Sequence, residues 1–141
     1  DVAEGRIDRV AGTVNYHLGY DLGLFGTYAV ISSENKDEGA AEGDSLPYVP
    51  EDIVRLGFTY VNPANVSFTL AATRIGEREG GLAAATLDPY WTTDASLKWE
   101  PFDKRFEVEL NAYNLLGEEF EVAEGLPGWN RTFTGTFKVR F

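Results

Sequence analysis

One histidine, no cysteine and no methionine leave this 141-residue chain few groups for nucleophilic or metal chemistry. A Ser–His–Asp site needs its imidazole within hydrogen-bond reach of both partners. His17 lies beside the tight turn GYDLG, with no supporting motif around it, so catalysis is not expected. Phosphate-cradling and dinucleotide-binding glycine patterns are missing, as are thiolate and histidine metal motifs, and no cofactor is expected. The acidic run Glu34, Asp37, Glu38, Glu42 and Asp44 offers oxygen ligands of the kind Ca²⁺ takes. Its spacing does not match an EF-hand loop, and a solvated loop is the simpler reading.

A second charged set is more orderly. Arg55, Asp94, Lys98, Glu107, Glu109, Lys138 and Arg140 all fall on one parity of segments that alternate polar and apolar residues. A strand sends successive side chains to opposite faces, so such a segment has one polar and one apolar face. Seven segments behave this way: VAGTVNYHL, LGLFGTYAVIS, IVRLGFTYV, VSFTLAATRI, WTTDASLKWE, FEVELNAYN and the closing NRTFTGTFKVRF. In the last, Phe133, Gly135, Phe137, Val139 and Phe141 oppose Thr132, Thr134, Thr136, Lys138 and Arg140. No segment of similar length has helical period.

The connections alternate in length. GYDLG, NPAN and EPFDKR are tight and rich in turn residues. The stretches starting at Ser33, Gly76 and Leu116 are long. Short and long connections in strict alternation predict an up-and-down antiparallel sheet, with tight turns at one end and long loops at the other.

Composition narrows the class. Fifteen glycines and 13% aromatics suit strands and turns. A net charge of −11 argues against a nucleic-acid partner. No run of about 18 apolar residues exists, which excludes a transmembrane helix but not a barrel. With no initiating methionine, the chain is expected to be a mature product or a piece of something longer. Two readings remain at this point. In a soluble β-sandwich or lipocalin-like module, the apolar faces would pack on a core. In a membrane barrel they would meet lipid, and Tyr16, Tyr60 and Trp99, beside the short turns, would form an interfacial girdle.

The terminal third resembles the end of a TonB-dependent outer-membrane transporter barrel. The resemblance rests on ELNAYNLLGEEFE at 109–121 and GLPGWNRTFTGTFKVRF at 125–141, with Asn114–Leu115, Glu118–Phe120, Gly125–Pro127–Gly128, Arg131–Phe133 and Phe141 in the family's order. LPYVPEDIVRLGFTY at 46–60 resembles an outer loop and its descending strand. The resemblance implies an all-β, antiparallel up-and-down transmembrane barrel in the bacterial outer membrane. The seven strands would be the C-terminal part of a larger barrel, with no plug domain in residues 1–141, because these transporters close with about 22 strands. A small self-contained outer-membrane barrel, as a pore or adhesin, is the alternative, but residues 1–8 make a poor eighth strand. The two sequons at 65–67 and 130–132 carry little meaning in such a protein.

Roles follow from the resemblance. Phe133, Phe137, Val139 and Phe141 are expected to be the assembly signal. Arg55, Asp94, Lys98, Glu107, Glu109, Lys138 and Arg140 are expected to face the lumen. The partners it implies are outer-membrane lipid, the rest of the barrel and its plug, a TonB-type energy-coupling protein acting through that plug, and the barrel-assembly machinery. The implied activity is uptake of a scarce nutrient such as a siderophore, cobalamin or glycan.

Overall fold

Backbone pairing carries the period-2 pattern into one continuous sheet. The computed structural model describes residues 5–19, 21–36, 44–81, 85–101 and 105–140. In chain order the strands are β1 (Gly5–His17), β2 (Leu22–Asn35), β3 (Asp52–Asn62), β4 (Val66–Ile75), β5 (Arg78–Glu79), β6 (Thr86–Leu87), β7 (Tyr90–Trp99), β8 (Phe106–Tyr113), β9 (Glu121–Ala123), β10 (Leu126–Pro127) and β11 (Thr132–Val139). Seven of them form one sheet in the order β1-β2-β3-β4-β7-β8-β11, each antiparallel to the next in sequence. The expected up-and-down architecture is thus realised. The small hairpins β5–β6 and β9–β10 sit inside the second and third long loops.

The first strand is longer than VAGTVNYHL suggests. Residues 5–8 extend β1 along β2, from Gly5 opposite Asn35 onward, rather than standing apart as a further strand. Backbone pairing tolerates their charge because they lie at an exposed edge, where Arg6 and Asp8 pair at 2.7 Å.

The short turns are held by local bonds. In NPAN, the Asn62 side chain accepts from Ala64 N at 2.7 Å, and Asn65 takes the left-handed conformation that lets the chain reverse. The Leu22 amide donates to Gly19 O across the first turn. Tyr20 and Asp103, on the first and third turns, lie outside the described residues.

Register keeps each parity on one face across all seven strands. Leu22, Tyr60, Phe68, Leu97, Leu110 and Gly135 form one transverse row of the apolar face. Phe58, Leu70, Ala95, Ala112 and Phe133 form the next. A soluble module would bury such rows, yet within them Tyr60 is 39%, Leu97 38%, Leu110 51% and Phe133 67% exposed. Among the described residues the buried hydrophobics are only Ala29, Ala71 and Leu87. A soluble sandwich core under the apolar face is therefore ruled out as the chain stands.

Candidate functional site

The polar face gathers the charged residues singled out from parity. Glu107, almost fully buried, is the hub at the short-turn end: Lys138 Nζ lies 2.9 Å from it, Arg140 Nη2 2.7 Å and Lys98 Nζ 3.8 Å. Glu100 joins through Lys98 at 3.3 Å and Arg140 at 3.7 Å. Three cations around two carboxylates on adjacent strands leave each carboxylate paired, so a buried Glu107 is tolerated. Glu109 stands opposite Lys98 in register but accepts from Asn111 Nδ2 at 2.9 Å.

Arg55 and Asp94 lie apart from this cluster. Arg55 gives a hydrogen bond to Thr73 Oγ1 at 3.3 Å, inside a band of hydroxyls that includes Thr13–Thr27 and Thr59–Thr69 pairs. Asp94 accepts the Asn114 amide at 3.0 Å, so it anchors the end of β8 rather than an ion pair. His17 lines a shallow cavity of about 280 Å³ with Asn15, Phe25 and Thr59, and among the described residues that line it none is acidic.

The apolar face carries the aromatics. Tyr16, Tyr60 and Trp99 lie on it at the short-turn end, and each is well exposed. Of the four terminal residues, Phe133, Phe137 and Val139 are on the same face, with Phe137 stacked on Phe106 at 6.1 Å; Phe141 lies outside the described residues. Trp91 and Tyr28 mark the other end of this face. Trp91 is eight residues up β7 from Trp99, a run of roughly 26 Å along the strand. Tilted by roughly 40° as barrel strands are, that run spans about 20 Å of height, which fits inside an apolar membrane band about 25 Å tall.

At the long-loop end the three loops are tied together. Tyr48 of the first loop gives its hydroxyl to Glu124 of the third at 2.6 Å, and its amide to Glu79 O of the second at 2.7 Å. The carboxylate bond holds the Tyr48 hydroxyl above its ordinary pKa of 10.0. Arg78, buried to 5% exposure, reaches from the second loop to Glu121 O at 3.0 Å and lies 5.0 Å over the Tyr90 ring. Tyr90 stacks on Phe120 at 3.9 Å. Arg78, Tyr90 and Phe120 border a cavity of about 430 Å³ rimmed by Glu118, Glu119 and Glu121. Among the described residues, the long stretches at this end hold ten acidic residues against three basic ones, so this end of the sheet is strongly negative. Asp37, Glu38 and Glu42 of the acidic run fall outside the described residues, and among those described no group of acids has metal-site geometry.

Parity alone did not single out Arg78, Tyr48, Phe120 or the ion pair of Asp52 with Arg74, whose Oδ2 and Nη1 lie 2.6 Å apart. Arg78 and Phe120 lie in loops without period. Asp52 and Arg74 do leave a trace in sequence, since they put charges on the apolar parity of their strands.

A sheet whose apolar face is left open to its surroundings, with a charged face behind it and alternating short and long connections, is the wall of an outer-membrane β-barrel. The family model for the TonB-dependent receptor-like β-barrel matches residues 3–115, and the chain belongs to that family. The match stops near the start of the terminal motif, whose fold is covered by solved structures instead. The ferric citrate transporter FecA superposes with a TM-score of 0.80 at 15% identity, over 99% of this chain and 25% of its own. The ferric-catecholate import receptor Fiu of E. coli K12 gives a TM-score of 0.69 at 22% identity, over 96% and 21%. The ferric enterobactin receptor PfeA of Pseudomonas aeruginosa gives 0.74 at 16%, over 90% and 21%. The chain spans about a quarter or less of these proteins' lengths. No curated protein matches in sequence.

Proposed function

We propose that this chain is the C-terminal wall of a larger transport barrel that takes a scarce nutrient across the outer membrane. The observation that carries this is the unbroken apolar face across seven strands, backed by a charged face. An open sheet leaves unpaired edges that hydrocarbon does not tolerate. β1 and β11 are such edges here, so further strands complete the ring. In this reading the apolar face meets lipid. Arg55, Asp94, Lys98, Glu107, Glu109, Lys138 and Arg140 line the lumen, where a plug domain would rest. Tyr16, Tyr60 and Trp99 lie at the periplasmic interface, and the rim around Arg78 faces outward. A TonB-type protein would supply energy through the plug. The assembly machinery would read Phe133, Phe137, Val139 and Phe141.

The solute we assign is a metal chelate, because Fiu and FecA carry ferric chelates and their folds superpose on nearly this whole chain; cobalamin and glycans are the remaining nutrient classes. The test is uptake of radioactive iron chelates by cells with and without the full-length gene, each with and without a proton gradient. Gradient-dependent uptake lost on deletion is the expected result. Uptake independent of the gradient would indicate a passive pore instead.

A further inference from the structure

On β3 and β4 the apolar face carries two full charges, Asp52 and Arg74, both at its upper boundary; Arg6, Asp8 and Glu34 share that parity further out, where β1 and β2 run on past Val10 and Val30. Arg74 stands opposite Val54 and Trp91, and Asp52 opposite Val30. Beyond them the chain leaves the sheet for the long loops. Arg74 Nη1 donates to both oxygens of Asp52, at 2.7 and 2.6 Å. The carboxylate occupies space that only Gly76 leaves free. A Cβ at Gly76 would run into that carboxylate and lie 2.9 Å from the Asp52 carbonyl oxygen. The Gly76 amide also donates to Asp52 O at 2.8 Å. The pair is thus seated by the backbone rather than formed by two drifting side chains.

Asp52 uses only one nitrogen of the guanidinium. Among the described residues, Nε and Nη2 of Arg74 have no hydrogen-bond partner, and the side chain is 30% exposed. Trp91, 44% exposed, flanks it on β7. Charged groups on a lipid-facing strand are costly at mid-depth and nearly free at the interface. The interface is also where lipid phosphates lie. A guanidinium with a free edge matches a phosphate's paired oxygens, which a point-charge ammonium does not.

We propose that the free edge of Arg74 binds the phosphate of an outer-leaflet lipid. Asp52 and Gly76 hold the guanidinium still, and Trp91 lies against the lipid below its headgroup. The proposal rests on the reading that the apolar face meets lipid. Because Asp52 cancels the local charge, the contact depends on fork geometry rather than on a diffuse basic field.

The test uses the full-length barrel in neutral detergent. Native mass spectrometry counts bound phosphatidic acid against diacylglycerol with the same acyl chains. The parent should retain the phosphate-bearing lipid preferentially, and Arg74→Gln should lower that preference about fivefold. Arg74→Lys keeps the charge, loses the fork, and should also fall short of the parent. Heat-modifiable migration reports whether each variant is folded. Unchanged preference in folded variants would overturn the proposal. So would displacement of phosphatidic acid by millimolar inorganic phosphate, which would make this a site for soluble anions. A nitroxide at Leu110→Cys separates the two readings. Relaxation by dissolved oxygen rather than by an aqueous nickel chelate places that face in lipid, whatever the lipid count shows.

Discussion

Single residues decide how the outer loops are held. Asn114 is nearly fully buried in the left-handed conformation, with φ 49°. Its side chain donates to Glu118 O at 2.8 Å and Trp129 O at 3.0 Å, and accepts from Glu118 N at 2.9 Å. One side chain thus pins both stems of the third loop. Asn114→Ala removes three bonds and puts an unfavourable residue in that conformation, a loss of about 2–4 kcal/mol in local stability. Faster hydrogen exchange over 114–131, with β1 to β4 unchanged, is the expected readout. Tyr48 offers a pH test. Its folded-state pKa is raised by the bond to Glu124. The stabilisation is therefore complete below the ordinary value of 10.0 and lost as pH rises through the higher folded value. Exchange over 121–125 should rise at that alkaline step. In Tyr48→Phe it should be fast at every pH and show no step; a step that persists would mean another group holds the loop.

Elements were legible in proportion to their length and period. All seven long strands follow from alternation, since period 2 is imposed by the pleat wherever one face differs from the other. The hairpins β5–β6 and β9–β10 were not legible. They are two or three residues long and exist because Arg78 and Tyr48 tie the loops together. The upper limit of the apolar band was half legible: Trp91 and Arg74 fall on the right parity, but only register shows them side by side. Close packing between elements was hidden as well. On the polar face Phe25, Gly57, Ala71 and Asp94 share a transverse row, and a Cβ at Gly57 would run into the Phe25 ring and the Leu70 carbonyl oxygen. The aromatic ring fills the space the glycine leaves. Gly57→Ala should cost about 1–3 kcal/mol through overpacking, read as a lower urea midpoint. Adding Phe25→Ala should recover part of it. The rest should remain, because Leu70 O belongs to the neighbouring backbone and cannot step aside.

For the whole molecule, the decisive question is what each face touches, and two neighbouring residues can answer it. Leu110 and Asn111 are consecutive on β8 and point to opposite faces. Leu110 sits in the row with Phe68 and Leu97, and Asn111 in the row with Ser96 and Thr134. They share a height, a strand and neighbours on both sides, so strand propensity and position cancel between them. Arginine on a lipid-facing strand costs about 2–4 kcal/mol at the midplane and about 0–1 kcal/mol near an interface, whereas a lumen-facing site leaves it hydrated. Leu110 lies one pleat inward of the Trp99 level, so Leu110→Arg in the full barrel, refolded into bilayers and titrated with urea, should lose about 1–3 kcal/mol. Asn111→Arg should change it by less than about 1 kcal/mol, since water and Glu109 lie within its reach. The same pair in detergent micelles, where headgroups and water approach the face more easily, should show a smaller gap. Equal losses at the two sites would mean both faces see the same surroundings. The apolar face would then need a protein partner in place of lipid, and the charged set would no longer line a lumen.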